Sequence, residues 1–326
     1  MTILVTGAAG FIGMHVAEAL LGAGRRVVGI DNMNDYYEVG LKEARLARLT
    51  DYENFTFHKV DIADRAAFAA ALEVYTDITE VVHLAAQAGV RHSLTHPFDY
   101  ADANVTGFLT ILEYCRSLRK LDHLVYASSS SVYGANNELP YSVSQATDRP
   151  VSLYAATKKA NELMAYSYAH LYGLPLTGLR FFTVYGPWGR PDMAYWLFTD
   201  KIVKGEPVQI YNHGDMMRDF TYIDDVVSGV LSVLAHPPVE TAAGPAHRVY
   251  NIGNNKPEKL LDFVAVIEKS LGLEAQRELL PMQPGDVKET FADIDPIRRD
   301  VGYEPVTSLK EGLPKFVEWY QDYSKD

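Results

Sequence analysis

Apolar residues in the first half of the chain fall into short continuous runs. Between those runs they recur every three to four residues. The runs are ILVTG (3–7), RRVVGID (25–31), NFTFHKVDI (54–62), EVVHLAA (80–86) and HLVYASSS (123–130). A short unbroken apolar run predicts a strand buried on both faces, and the longer spacing predicts an amphipathic helix. Helical stretches include GFIGMHVAEALLGAG, DRAAFAAALEV and NVTGFLTILEYCRSLRK. Their alternation predicts an α/β fold, a Rossmann-type doubly wound parallel sheet covered on both sides. From about residue 180 Gly, Pro and aromatic residues become denser and the alternation loosens. The expected division is therefore a first domain over 1–179 and a smaller C-terminal α/β lobe over 180–326. Segments near 220–253 are expected to return to the first domain, with RVYNIG (248–253) as the returning strand.

Composition narrows the function. The 326 residues carry a net charge of −12, which argues against a non-specific nucleic-acid binder. A single cysteine, Cys115, excludes an internal disulfide and a cysteine-rich zinc site. No apolar run reaches the roughly 18 residues of a membrane span. The chain opens directly into TILVTGAAG with no leader pattern, so a cytoplasmic enzyme is expected. His92 and His96 are four apart, but Pro97 follows and no cysteine or carboxylate cluster joins them, so no metal is expected.

Gly7, Gly10 and Gly13 form G-x-x-G-x-x-G between the first strand and the first helix. Glycines there allow a tight turn, close approach of a pyrophosphate and helix–strand packing, while the helix start supplies N–H groups. Asp31 ends the next strand, where a carboxylate accepts hydrogen bonds from an adenosine ribose and repels a 2′-phosphate. NAD is therefore favoured over NADP. Lys42 and Arg45 follow; their expected place is the polar face of the helix GLKEARLARL.

In PVSLYAATKKANELM (150–164), Tyr154 and Lys158 are four apart on an expected helix and share a face. Ser152 is the expected N-cap, and Pro150 bars an earlier start. A tyrosine works as a base near neutral pH only if its pKa, normally near 10, comes down. A neighbouring ammonium and a nicotinamide ring can do this, and Lys158 is the expected ammonium.

These motifs, with YASSSSVYG, resemble an extended short-chain dehydrogenase/reductase of the nucleotide-sugar epimerase and dehydratase group. The resemblance runs over essentially the whole chain. It implies a catalytic set of Ser129, Tyr154 and Lys158. It also implies that Phe11, Ile12, Asn32, Leu84, Ala85 and Ala86 meet the cofactor, that Asp61 and Ile62 form an adenine pocket, and that Asn104 lies near a ribose. Dehydratases and decarboxylases of this group carry an acid just before VYG; here those residues are Ser130 and Ser131.

DNMNDYYEVGLKEARL, HLAAQAGVRHS and RFFTVYGPWGRPDMA are similar to UDP-glucuronate 4-epimerases. That likeness implies NAD-dependent conversion of UDP-glucuronate to UDP-galacturonate through a 4-keto intermediate. Other UDP-hexose 4-epimerases and UDP-glucuronate decarboxylases are the alternatives. Arg91 and Arg190 are expected in cleft loops, where guanidinium groups suit a carboxylate or a phosphate. Thr183, Ser130 and Ser131 are expected against the sugar. By resemblance Arg218 faces the pyrophosphate and Asp286 the uridine ribose, although Gln283 stands where the group often has Arg. The resemblance also implies a homodimer joined through helices around 104–119 and 153–171.

Overall fold

The computed structural model describes residues 1–282 and 288–325. Each apolar run forms a strand: β1 (Thr2–Thr6), β2 (Arg26–Asp31), β3 (Phe55–Lys59), β4 (Ile78–His83) and β5 (His123–Ser129). With β6 (Leu176–Phe181) they pair in parallel throughout. Every residue of β1 and β6 is buried, as a sheet covered on both faces requires. The covering helices are α1 (Phe11–Gly22), α2 (Val39–Thr50) and α3 (Arg65–Leu72) after the first three strands. After β4 come two single turns, α4 (His92–Thr95) and α5 (Pro97–Tyr100), and a π-helical turn over Ala101–Thr106 that leads into α6 (Gly107–Ser117). The long α7 (Leu153–Tyr172) joins β5 to β6.

Beyond β6 the chain builds the smaller lobe. Its first elements are β7 (Thr183–Tyr185), α8 (Ala194–Lys204), β8 (Val208–Ile210), β9 (Met217–Tyr222) and α9 (Ile223–Leu234). β10 (His247–Ile252) then returns to the large sheet and pairs in parallel with β6. The sheet order is β10-β6-β5-β4-β1-β2-β3, so β6 crosses residue 179 and α9 packs against α1. The remaining elements are β11 (Pro257–Lys259), α10 (Leu260–Leu271), β12 (Arg277–Leu279), β13 (Glu289–Thr290), α11 (Asp295–Val301) and α12 (Leu309–Tyr323). In the small sheet β9 pairs with β7 and β13 in parallel and with β11 in antiparallel fashion. In the large sheet β1 lies between β2 and β4, where the strand order reverses. That reversal opens a crevice at the carboxyl ends of the strands.

One sequence expectation fails in α2. Lys42 and Arg45, assigned to its polar face, are 5% and 0% exposed. They complete a buried stripe with Leu41 and Leu49, at the spacing of a helix face turned to the protein. The periodicity is right and the residue types mislead, because here the inner face carries cations.

Candidate active site

The cleft of about 450 Å³ at the switch point starts at the glycine turn. Gly7 has φ +73°, and a Cβ there would stand 2.7 Å from the Ala85 nitrogen; only glycine lets β1 end this close to β4. A Cβ on Gly13 would run into the Gly7 carbonyl, so α1 rests directly on the turn it follows. Gly10 is the N-cap of α1 and offers no side-chain acceptor, which leaves the helix N–H groups of the first turn open toward the cleft.

Asp31, 7% exposed, ends β2 at the rim of the cleft. Its carboxylate accepts from Ala9 N at 3.2 Å and Met33 N at 2.8 Å, which fixes its direction. Asn32 donates to Asp61 at 2.9 Å, joining the ends of β2 and β3 beside Ile62. Phe11, Ile12, Gly10, Gly13, Leu84, Ala85 and Ala86 line the same wall. Lys42 is also in the cleft; burial lowers its pKa, Asp31 opposes that shift, and the ammonium donates to Asn34 at 2.6 Å.

At the other end lie Ser129, Tyr154 and Lys158. Ser152 caps α7 by accepting from Ala155 N at 3.1 Å, as its position in the sequence predicts. The first turns of α7 then carry Tyr154 and Lys158 on one face, toward the end of β5. The Ser129 hydroxyl faces the Tyr154 hydroxyl. Ser129 also meets Ser131, donating to its hydroxyl at 3.1 Å and accepting from its N–H at 3.2 Å. Lys158, 3% exposed, donates to the Ala127 carbonyl at 3.0 Å. Burial brings its pKa down to about 8. Burial pushes the Tyr154 hydroxyl above its ordinary 10, while the Ser129 hydroxyl and the Arg190 charge pull it back. Arg190 is thus one cation that favours the phenolate.

Ser130, Ser131, Thr183 and Arg190 close the cleft around this end. Arg190 grips Asp192 through Nε at 3.0 Å and Nη2 at 2.5 Å. Asp192 also accepts the Tyr36 hydroxyl at 3.0 Å, so the loop after β2 meets the loop after β7. Burial opposes the Arg190 charge and Asp192 outweighs it, holding the guanidinium firmly protonated. Tyr36, Tyr37, Asn34 and Gln87 also line the cleft and were not singled out in the sequence. The pair of tyrosines in a loop directly after Asp31 was the available signal.

Other expected site residues lie elsewhere. Asn104 stands behind the cleft wall, 2% exposed. Its amide accepts from Gln87 N at 2.8 Å and donates to Gln87 O at 3.0 Å and Thr157 at 3.1 Å. Asn104 thus supports, from behind, the wall of the cleft that Gln87 and Ala103 line. Arg91 is exposed at the start of α4. Arg218 sits in the small sheet, donating to Met217 O at 2.8 Å and Lys288 O at 3.0 Å. Asp286 lies outside the described residues.

Residues 3–253 match the NAD dependent epimerase/dehydratase family. The chain belongs to that family. Its cofactor is NAD, and the residues present fit it: a glycine turn under open helix N–H groups, and the fixed Asp31 carboxylate in the same cleft. Among relatives of this epimerase/dehydratase chain, UDP-glucuronate 4-epimerase 4 of Arabidopsis thaliana is 48% identical, over 99% of this chain and 76% of that protein. Protein CapI of Staphylococcus aureus is 50% identical over the full length of both. The structure of UDP-glucuronic acid 4-epimerase from Bacillus cereus, in complex with UDP-glucuronic acid and NAD, superposes with a TM-score of 0.89. It is 36% identical, over 99% of this chain and all of that one. No described helix is long and apolar enough to cross a membrane.

Proposed function

We propose that this protein interconverts UDP-glucuronate and UDP-galacturonate by NAD-dependent inversion at sugar carbon 4. One observation carries the reading. The Ser129–Tyr154–Lys158 group shares its cleft with Arg190, Thr183 and two further serines, at the positions where dehydratases and decarboxylases of the group hold an acid. The Arabidopsis and Bacillus cereus relatives support the choice of a uronate.

Each residue has a task in this reading. Tyr154 accepts the proton of the C4 hydroxyl as the phenolate, and Ser129 holds that oxygen while the proton moves. Lys158 binds the nicotinamide ribose. The chemistry that bound NAD supplies is reversible hydride acceptance at C4. Return of the hydride to the opposite face of C4, while Tyr154 gives the proton back to the C4 oxygen, leaves the sugar inverted, with no net redox change. Arg190, Thr183, Ser130 and Ser131 hold the uronate carboxylate. Holding it matters because a 4-keto uronate is a β-keto acid; loss of CO₂ needs the breaking C–C bond aligned with the ketone. Arg218 and Arg91 serve the pyrophosphate, and Asp286 the uridine ribose.

The reading includes a homodimer, supported by apolar residues left exposed on α7, among them Leu163, Tyr166 and Leu171. It keeps the cytoplasm as the place of action. The test is incubation of the purified protein with UDP-glucuronate, followed by NMR of the sugar ring. UDP-galacturonate as the main product supports the reading; UDP-pentose, or conversion confined to UDP-glucose, overturns it.

A further inference from the structure

Arg45 is among the largest fully buried side chains of the described residues. Burying a guanidinium costs several kcal/mol unless its donors are met. They are met here by carbonyls and one hydroxyl; no carboxylate among the described residues lies in ion-pair range. The partners come from three separate segments. Nη1 donates to Ala9 O at 3.3 Å, inside the glycine turn, and to the Tyr37 hydroxyl at 2.6 Å. Nε and Nη2 donate to Trp188 O at 3.0 and 2.7 Å, and Nη2 also to Gly189 O at 2.8 Å.

The last two partners immediately precede Arg190. Trp188 has φ +62°, a left-handed conformation that a bulky residue adopts only when its surroundings impose it. The two N–H groups on its carbonyl are part of that imposition. From the other side the Tyr195 hydroxyl accepts the Arg190 N–H at 2.8 Å. The segment that presents Arg190 is thus clamped between Arg45, which also grips the cofactor turn, and Tyr195.

We infer that Arg45 is a positioning residue: it locks the Trp188–Asp192 segment to the glycine turn, so that Arg190 and the cofactor are held in one fixed register. Its consequence for sugar selectivity rests on the reading of Arg190 as a carboxylate ligand; its consequence for the loop does not. A lysine keeps the charge but cannot bridge three segments, so Arg45→Lys isolates the clamp.

The test uses purified holoenzyme and two readouts. Amide exchange in residues 186–192 should speed up about tenfold or more in Arg45→Lys, with exchange in β1 and β4 unchanged. KM for UDP-glucuronate should rise about tenfold, while affinity for UDP, which lacks the carboxylate, and NAD content stay as in the wild type. Unchanged exchange in 186–192 overturns the proposal, as does an equal loss of UDP-glucuronate and UDP binding. If Arg45→Lys does not fold, Tyr37→Phe removes one partner and leaves the charge. Faster exchange in the same segment then supports the clamp, and no change overturns it. Arg190→Lys serves as the reference. Should it leave KM for UDP-glucuronate unaltered, the carboxylate reading fails, and the clamp is judged on exchange alone.

Discussion

Ser128 donates its hydroxyl hydrogen to the buried Glu162 carboxylate at 2.7 Å. Ser128 precedes Ser129, and Glu162 stands one helical turn beyond Lys158 on α7. The bond therefore ties the end of β5 to the helix that carries Tyr154. Glu162 also takes Nε and Nη2 of Arg180 on β6, both at 2.8 Å. Arg180 in turn lies over the Tyr133 ring, 4.9 Å from its centre. Two strands, β5 and β6, are thus fastened to α7 through one carboxylate.

Breaking that pair should cost more than a surface ion pair would. Glu162→Gln leaves the Arg180 charge buried without its counter-charge, and urea denaturation should report a loss of about 3–5 kcal/mol. Burial works against the Glu162 carboxylate, but Arg180 and Ser128 outweigh it and hold its pKa below the ordinary 4.5. A depressed carboxylate contributes stability above its unfolded pKa, and that contribution is lost as pH falls through the folded value. The gap between wild type and Glu162→Gln should therefore be full at pH 7 and shrink below about pH 4.5.

Lys158 should show the opposite balance between stability and function. Its pKa is about 8 in the fold against 10.5 for a free lysine. Below pH 8 both folded and unfolded chains are protonated, so the folded protein carries the full penalty, roughly 3 kcal/mol. The penalty fades as pH rises from 8 to 10.5. Lys158→Met should abolish turnover yet raise the melting temperature of the cofactor-free protein at pH 7. The gain should disappear near pH 10. A melting temperature lowered at pH 7 and unaffected by pH would contradict it.

Gly13→Ala tests the contact between α1 and the glycine turn. The added methyl meets the Gly7 carbonyl, which belongs to backbone and has little room to yield. Overpacking of this kind costs about 1–3 kcal/mol, and the displaced helix start should release NAD. Absorbance of bound cofactor after gel filtration reads the second effect directly.

Much of this site was legible because its signals are local. The glycine turn, Ser152 and the Tyr154–Lys158 pair each work within a few residues, and Asp31 is marked by ending the strand that follows the first helix. The rest depends on contacts between distant segments. Arg45 reaches Trp188 across 143 positions and Tyr36 reaches Asp192 across 156. Hydrophobic periodicity carries no record of such meetings, and a basic residue on a helix ordinarily faces water. That is why α2 was assigned with its cations outward. Likewise spacing on α7 points only to Lys158 as a cation for Tyr154. Arg190 adds a charge from the loop after β7. The bonds of Asn104 to the Gln87 backbone are a related case, since the sequence does not reveal that loop's path.

Tyr154→Phe should reduce turnover about a thousandfold or more with NAD still bound. The phenyl ring keeps the packing against Tyr100 that the structure shows at 6.0 Å. Activity near the wild-type level would remove Tyr154 from the role of base.

The central claim is that one hydrogen leaves sugar C4 and comes back to the same carbon from the other side, with Tyr154 moving the matching proton. Incubation of UDP-glucuronate deuterated at C4 with the wild-type holoenzyme in ordinary water tests it most directly. The account predicts UDP-galacturonate that retains the deuterium at C4. Product in which that deuterium has been exchanged for solvent hydrogen would contradict it.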